Sequence, residues 1–180
     1  TRVWPRSLGR YDRNLLYRWP PHCSFGNVLD EMRVRGRELG EKLDYERARE
    51  RVLEFLEGKH AITLATSLGD RVTARTVSFA NDGLTILFMS WGHRTKCVQI
   101  RGNPRVALCR DNAQIEGVAE ILGGVLDERN KRYVDILRNK YPENYALFAH
   151  EPGMVIVRII PTSITLFDKS DGQFCLKCLD

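Results

Sequence analysis

The sequence predicts a mainly β domain, a small antiparallel barrel with helices at its periphery. Three observations predict it. From Ile62 to Phe167, short runs alternate apolar and polar residues at close spacing, the period of half-buried strands. Tight turn signals separate them at Leu68-Gly69-Asp70-Arg71, Asn81-Asp82-Gly83 and Asp111-Asn112. Few helical stretches intervene and no strand–helix–strand rhythm appears, so an antiparallel barrel fits better than a parallel sheet.

Taken in order, residues 1–31 show little periodicity, with helix breakers at Trp4-Pro5 and Trp19-Pro20-Pro21. From Asp44, a plausible N-cap, Ala48, Val52, Phe55 and Leu56 fall on one helical stripe that ends at Gly58. Ile62–Ser67, Val72–Phe79 and Leu84–Ser90 then read as three consecutive antiparallel strands. A short helix from about His93 is closed by Gly102-Asn103-Pro104. Val106–Arg110 and Ala113–Leu122 form two more strands. Asp127–Tyr141 is a second amphipathic helix with Tyr133, Ile136 and Leu137 inward and Pro142 as its stop. Met154–Ile160 and Ser163–Phe167, divided by Pro161, complete the strands.

The chain has 180 residues, enough for one domain with a sizeable core, and no apolar run approaches a membrane span. Its formal charge is +5, but residues 1–43 hold nine Lys or Arg against five Asp or Glu, so about +4 sits on that arm. A nearly neutral body argues against general nucleic-acid binding. The arm reads as a transit segment, as translated sequence upstream of a start at Met32, or as a strap around a partner subunit. Five cysteines are an odd number in a chain of this length, which fits reduced thiols and a cytoplasmic location. Cys175 and Cys178 have the spacing of half a zinc site. Without a second such pair, two ordinary thiols on a mobile tail, residues 169–180, are the simpler reading.

The stretch Arg75–Lys96 organises the rest. It is a hairpin whose far ends carry Arg75 on one side and Arg94 and Lys96 on the other, and folding brings those ends together. Arg offers a planar fork, Lys a point charge and a helix start free N–H groups, a combination suited to a dianionic phosphate. Taken singly, each residue also has an ordinary structural role: a strand arginine, two cations on a helix surface, an aromatic plug in Trp91, a polar edge in Gln114. His60, His93 and His150 sit at element ends and read as surface histidines. No Ser-His-Asp, Cys-His or paired-carboxylate pattern occurs.

Five segments, in one order and at suitable separations, resemble the FMN-binding split barrels related to pyridoxamine 5′-phosphate oxidase. They are Ile62–Ser67, Arg75–Val77, Ser90–Lys96, Asn103–Leu108 and Gln114–Glu120, so the resemblance covers about 44–168. It implies a six-stranded antiparallel split β-barrel and a homodimer with FMN in clefts at the dimer interface. By that resemblance Arg75 and Lys96 are phosphate ligands, with Arg94 and Thr95 beside them. Thr76 and Val77 lie along the flavin ring, Ser90 and Trp91 line it, and Gln114 hydrogen-bonds it. The implied activity is a flavin-dependent oxidoreductase acting on an unidentified small molecule with an unidentified electron donor. The chain departs from the parent enzyme in having no Trp after Trp91, so a vitamin B6 substrate is not carried over. The same fold with F420 or haem bound, or a non-catalytic flavin-binding sensor, are the alternatives. Haem would call on His60, His93 or His150.

Overall fold

The computed structural model describes residues 45–168 and 172–177, and the basic arm and Cys178 lie outside them. Helix α1 (Tyr45–Glu57) buries Ala48, Val52 and Leu56, one stripe at helical spacing, with Phe55 packed alongside. Strands β1 (Ala61–Leu68) and β2 (Arg71–Ser78) pair in register across the two-residue turn Gly69-Asp70. Gly69 takes φ 57 there, a left-handed conformation that glycine adopts without strain. Strands β3 (Ala80–Asp82) and β4 (Thr85–Trp91) pair across Gly83, and helix α2 (Thr95–Gly102) follows.

Strands β5 (Arg105–Arg110) and β6 (Ala113–Gly124) form the next hairpin, turning at Asp111-Asn112. A 3-10 turn (Glu128–Asn130) leads into α3 (Lys131–Lys140) and α4 (Pro142–Phe148). The chain returns to the sheet as β7 (Met154–Asp168) and β8 (Gly172–Lys177).

All pairings are antiparallel, in the order β2-β1-β5-β6-β7-β4-β3, with β8 on β7. The two ends of this path belong to one stretch of chain. Only Phe79 separates β2 from β3, and its N–H donates to the His60 carbonyl at 3.2 Å. The strand bends at this fully buried residue, so that its first half pairs with β1 and its second with β4. Counted as one bent strand, β2 and β3 join β1, β4, β5, β6 and β7 in a six-stranded barrel, and β8 is an addition to it.

One core cluster gathers Ile62, Leu64, Phe79, Phe88, Ile115 and Ile159 within the barrel. A second forms where α3 packs on β3 and β4, around Leu87, Val134, Leu137 and Ile156. Strand β4 therefore buries Ile86, Leu87 and Phe88 in succession, because both of its faces are covered. At Gly117 the β6–β7 register shifts opposite Pro161, and an added Cβ would lie 2.6 Å from the Ile160 carbonyl oxygen. That bulge is where a strand tolerates a proline, which explains why β7 runs unbroken through Pro161.

Three expectations change in detail. Helix α2 begins at Thr95 rather than near His93. The segment 127–141 opens as a 3-10 turn, and Pro142 both ends α3 and occupies the first turn of α4, where its missing N–H costs nothing. Residues 172–177, read as part of a mobile tail, pair with β7 as β8. Cys175 is exposed there, and among the described residues no group of His, Cys, Asp and Glu could hold a metal ion. No helix among them is long and apolar enough to cross a membrane.

Candidate functional site

The end of β4 and the start of α2 are fixed by contacts to the rest of the fold. The N–H of Gly92 donates to the Gly153 carbonyl at 2.9 Å, and Arg101 donates to the Gly92 carbonyl at 2.7 Å. A side chain at Gly92 would press on that arginine, at 3.1 Å from Nη2. Arg94 occupies the N-cap position, yet makes no side-chain capping bond. Guanidinium groups only donate, and while the Cys97 N–H turns back to the Arg94 carbonyl at 2.9 Å, those of Thr95 and Lys96 find no partner among the described residues and are left for an external acceptor. The Arg94 guanidinium instead lies over the Trp91 ring, 5.2 Å from its centroid.

Three cations gather here: Arg94, Lys96 and, behind them, Arg75. Burial lowers the pKa of Lys96, Cys97 offsets part of the shift, and repulsion from Arg75 and Arg94 adds to the lowering. Burial alone lowers that of Arg75. Among the described residues, no carboxylate forms an ion pair with any of the three. Elsewhere on this fold arginines do find carboxylates, as Arg158 does with Glu120 and Arg132 with Asp82. A cluster of positive charge with no carboxylate among the described residues, beside a helix start with no side-chain cap, has the chemistry to attract an anion.

Two of the three cations, Arg94 and Lys96, line a cleft of about 350 Å³. The cleft opens between β2 and β4, which do not pair, since the bent strand pairs with β1 before Phe79 and with β4 only after it. Thr76, Val77 and Ser78 form one side, Met89, Ser90 and Trp91 another, and Leu137, Tyr141, Asn144 and Phe148 supply a wall from α3 and α4, with Met154 below. The Trp91 and Phe148 rings meet edge to face at 5.5 Å. Tyr141 ties the wall to the bend, donating its hydroxyl to the Phe79 carbonyl at 2.8 Å and also to that of His60. Burial raises the pKa of this phenol, partly offset by the bond to Phe79, so it stays a neutral donor.

Six of the nine residues singled out from the sequence line this cleft: Thr76, Val77, Ser90, Trp91, Arg94 and Lys96. Ser90 is buried and its hydroxyl donates to the Trp91 carbonyl at 3.3 Å. Thr95 is exposed at the helix start. Arg75 does not line the cleft. Its Nη1 donates to the Leu64 carbonyl at 3.2 Å and to Thr66 Oγ1 at 2.6 Å, and its Nη2 donates to Thr73 Oγ1. Gln114 lies on the exposed face of β6, 3.3 Å from the Glu116 carboxylate. The register Thr76, Thr63, Cys109, Gln114 puts it three strands away from the cleft, roughly 14 Å at the usual strand spacing.

The α3 side of this wall falls within the helix expected over Asp127–Tyr141, whereas α4 lies beyond the stop expected at Pro142. Tyr141, Tyr145 and Phe148 recur at spacings of four and three, the signal that a further amphipathic turn follows. His60, His93 and His150 do not line the cleft, and two of them meet tyrosine rings, His60 with Tyr141 and His150 with Tyr145.

The family model described as pyridoxamine 5′-phosphate oxidase matches residues 48–168. No curated protein matches the chain. Among solved structures it is similar to a protein from Listeria innocua described as a candidate pyridoxamine 5′-phosphate oxidase, at 26% identity and TM-score 0.53, covering 66% of this chain and 97% of that one. It is also similar to General Stress Protein 26 from Bacillus anthracis, at 20% identity and TM-score 0.56, covering 73% and 98%. HutZ, a haem storage protein from Vibrio cholerae, superposes at 13% identity and TM-score 0.55, covering 67% and 91%. The last two likenesses are of fold alone.

Proposed function

The chain belongs to the pyridoxamine 5′-phosphate oxidase family, and from that premise we propose that it is an FMN-binding flavoprotein acting as an oxidoreductase on a small molecule. The observation that carries the reading is the set of cations without a carboxylate at the mouth of a cleft walled by strand and aromatic side chains. The residues fit the cofactor. Lys96 and Arg94 would neutralise the phosphate with the N–H groups that open α2, and Arg75 would add its charge from behind. Thr76 and Val77 would border the ring, with Ser90 and Trp91 opposite. When bound, FMN supplies two-electron chemistry at its ring, so the chain needs no nucleophile or catalytic dyad of its own. The protein's part is to hold, orient and dry the reacting groups. Trp91, Phe148 and Met154 contribute apolar lining toward the last of these.

The reading includes a homodimer. Gln114 is too far along the outer row to reach the cleft of its own chain, so the ring contact that the resemblance implies for it would have to come from a second copy of the chain. The outer face of β2, β1 and β5 suits such packing, with Ala74, Ala65 and Ala107 in register and Val72 exposed beside them. Light scattering should return twice the 20.7 kDa chain mass.

The test is the visible spectrum of the purified protein, with the mass of the small molecule released by heat. The expected result is the two-band spectrum of an oxidised flavin and the mass of FMN, followed by screening of nicotinamide donors and acceptors. The mass of F420 or of haem would keep the scaffold and replace the ligand. Tight FMN with no turnover by any donor would make the chain a flavin carrier or sensor. A colourless protein that takes up no added FMN would remove the reading. Between flavin and haem, the described residues lining the cleft include no histidine, the commonest axial ligand, and this favours flavin.

A further inference from the structure

Gln99 lies on α2, one turn beyond Lys96, and is 3% exposed. A buried amide must satisfy both of its ends. Its Nε2 donates to the Arg71 carbonyl at 3.0 Å. Its Oε1 accepts from Thr66 Oγ1 at 2.6 Å and from Thr73 Oγ1 at 2.7 Å, with Arg75 Nη2 at 3.5 Å. The same two hydroxyls accept from Arg75. Each threonine therefore relays a bond, accepting from the guanidinium and donating to the amide, and the four side chains close a ring. The ring spans β1, β2 and α2, so it locks the helix that carries Lys96 onto the hairpin that carries Arg75. Its direction is set by Gln99, because the Arg71 carbonyl takes the amide N–H and turns the oxygen toward the hydroxyls.

We propose that Gln99 is the positioning residue of the anion site, holding Arg75 through Thr66 and Thr73 while leaving its charge uncompensated. Among the described residues every acceptor around Arg75 is neutral: one backbone carbonyl, two hydroxyls and one amide oxygen. A carboxylate in place of the amide would hold the guanidinium as well and cancel its charge. The neutral acceptor fixes the group without spending its field, which stays directed at whatever binds beside Lys96. The inference rests on the anion-binding part of the proposed function.

The experiment compares FMN, riboflavin and inorganic phosphate as probes of the full chain, by flavin fluorescence titration and calorimetry, in wild type, Gln99→Glu and Gln99→Met. Riboflavin lacks the phosphate, so its affinity reports the state of the cleft, and the ratio of FMN to riboflavin affinity reports the anion site. Gln99→Glu should lower that ratio at least tenfold and weaken phosphate alike, with riboflavin unchanged. Gln99→Met, which keeps the volume and removes the acceptor, should lower the ratio by a smaller factor. It decides the matter if the glutamate variant does not fold. An unchanged ratio, or equal loss of both flavins, would overturn the inference by making Gln99 merely structural. If wild type binds phosphate but no flavin, the flavin reading falls, and phosphate affinity in the variants still judges Gln99. A wild type that binds neither FMN nor phosphate removes the site and this inference with it.

Discussion

Replacing Lys96 with Met should move two measurements in opposite directions. The side chain keeps its length and loses its charge. In the FMN complex a charge-assisted bond to phosphate is worth about 1.5–3 kcal/mol, so affinity should fall by about ten- to a hundredfold. In the free protein, burial and then the fields of Arg75 and Arg94 disfavour the ammonium. Removing it should therefore raise stability, by no more than about 0.5 kcal/mol once solvent screening of this half-buried group is allowed for. The sign with pH follows. The folded-state pKa lies below the ordinary 10.5, so the unfolded chain binds the proton more tightly. Wild-type stability should then gain on the variant as pH rises through the depressed folded value toward 10.5. Urea unfolding of the ligand-free proteins at several pH values, beside fluorescence titration with FMN, reads both effects. Unchanged FMN affinity would refute the phosphate assignment. A free protein destabilised by more than about 1 kcal/mol would instead show that Lys96 supports the fold, against the repulsion argued here.

Three further outcomes are expected. Tyr141→Phe removes the donor to the Phe79 carbonyl, while the His60 carbonyl keeps the Phe79 N–H. It should cost about 1–2 kcal/mol by chemical denaturation and leave riboflavin affinity nearly unchanged, because the hydroxyl is already committed to backbone. Gly117→Ala brings a methyl group against the Ile160 carbonyl at 2.6 Å, and should cost about 1–3 kcal/mol in the same assay. Asp127 caps the 3-10 turn through the Arg129 N–H at 3.0 Å, and hydrogen bonds from Arg129 hold its pKa down at about 2. A depressed carboxylate contributes stability above its unfolded value of 3.8 and loses it as pH falls toward about 2. Asp127→Asn should accordingly flatten the thermal stability profile across that acid window. An unaltered slope there would show that the pairing contributes nothing to folding.

Local features of the sequence carried most of the fold. The three hairpins β1–β2, β3–β4 and β5–β6 each rest on alternation plus a turn of Gly, Asn or Asp, all within some twenty residues. The β8 strand was hidden because Gln173-Phe174-Cys175-Leu176 is too short a run to stand out without β7 to pair with. At the site, the residues at the end of β4 and the start of α2 were legible from charge and from the helix start. The orientation of Arg75 was not, since its partners Leu64 and Thr66 lie on a neighbouring strand and Gln99 on a helix. Gln99 itself looks like any polar helix residue. Its role depends on two threonines 33 and 26 positions away, a separation no local pattern records.

Strand β7 also governs when the fold can finish. It pairs with β6 along one edge and with β4 and then β8 along the other, so two strands made earlier, β4 and β6, wait on this one segment. During synthesis the hairpins preceding it can form as soon as they emerge, being local. The edges of β4 and β6 then remain unpaired until residues 154–168 have left the ribosome. Ring closure is thus a late, non-local event with a large loop entropy to overcome. The exposed edges in the interval are where a nascent chain would meet a chaperone or another copy of itself.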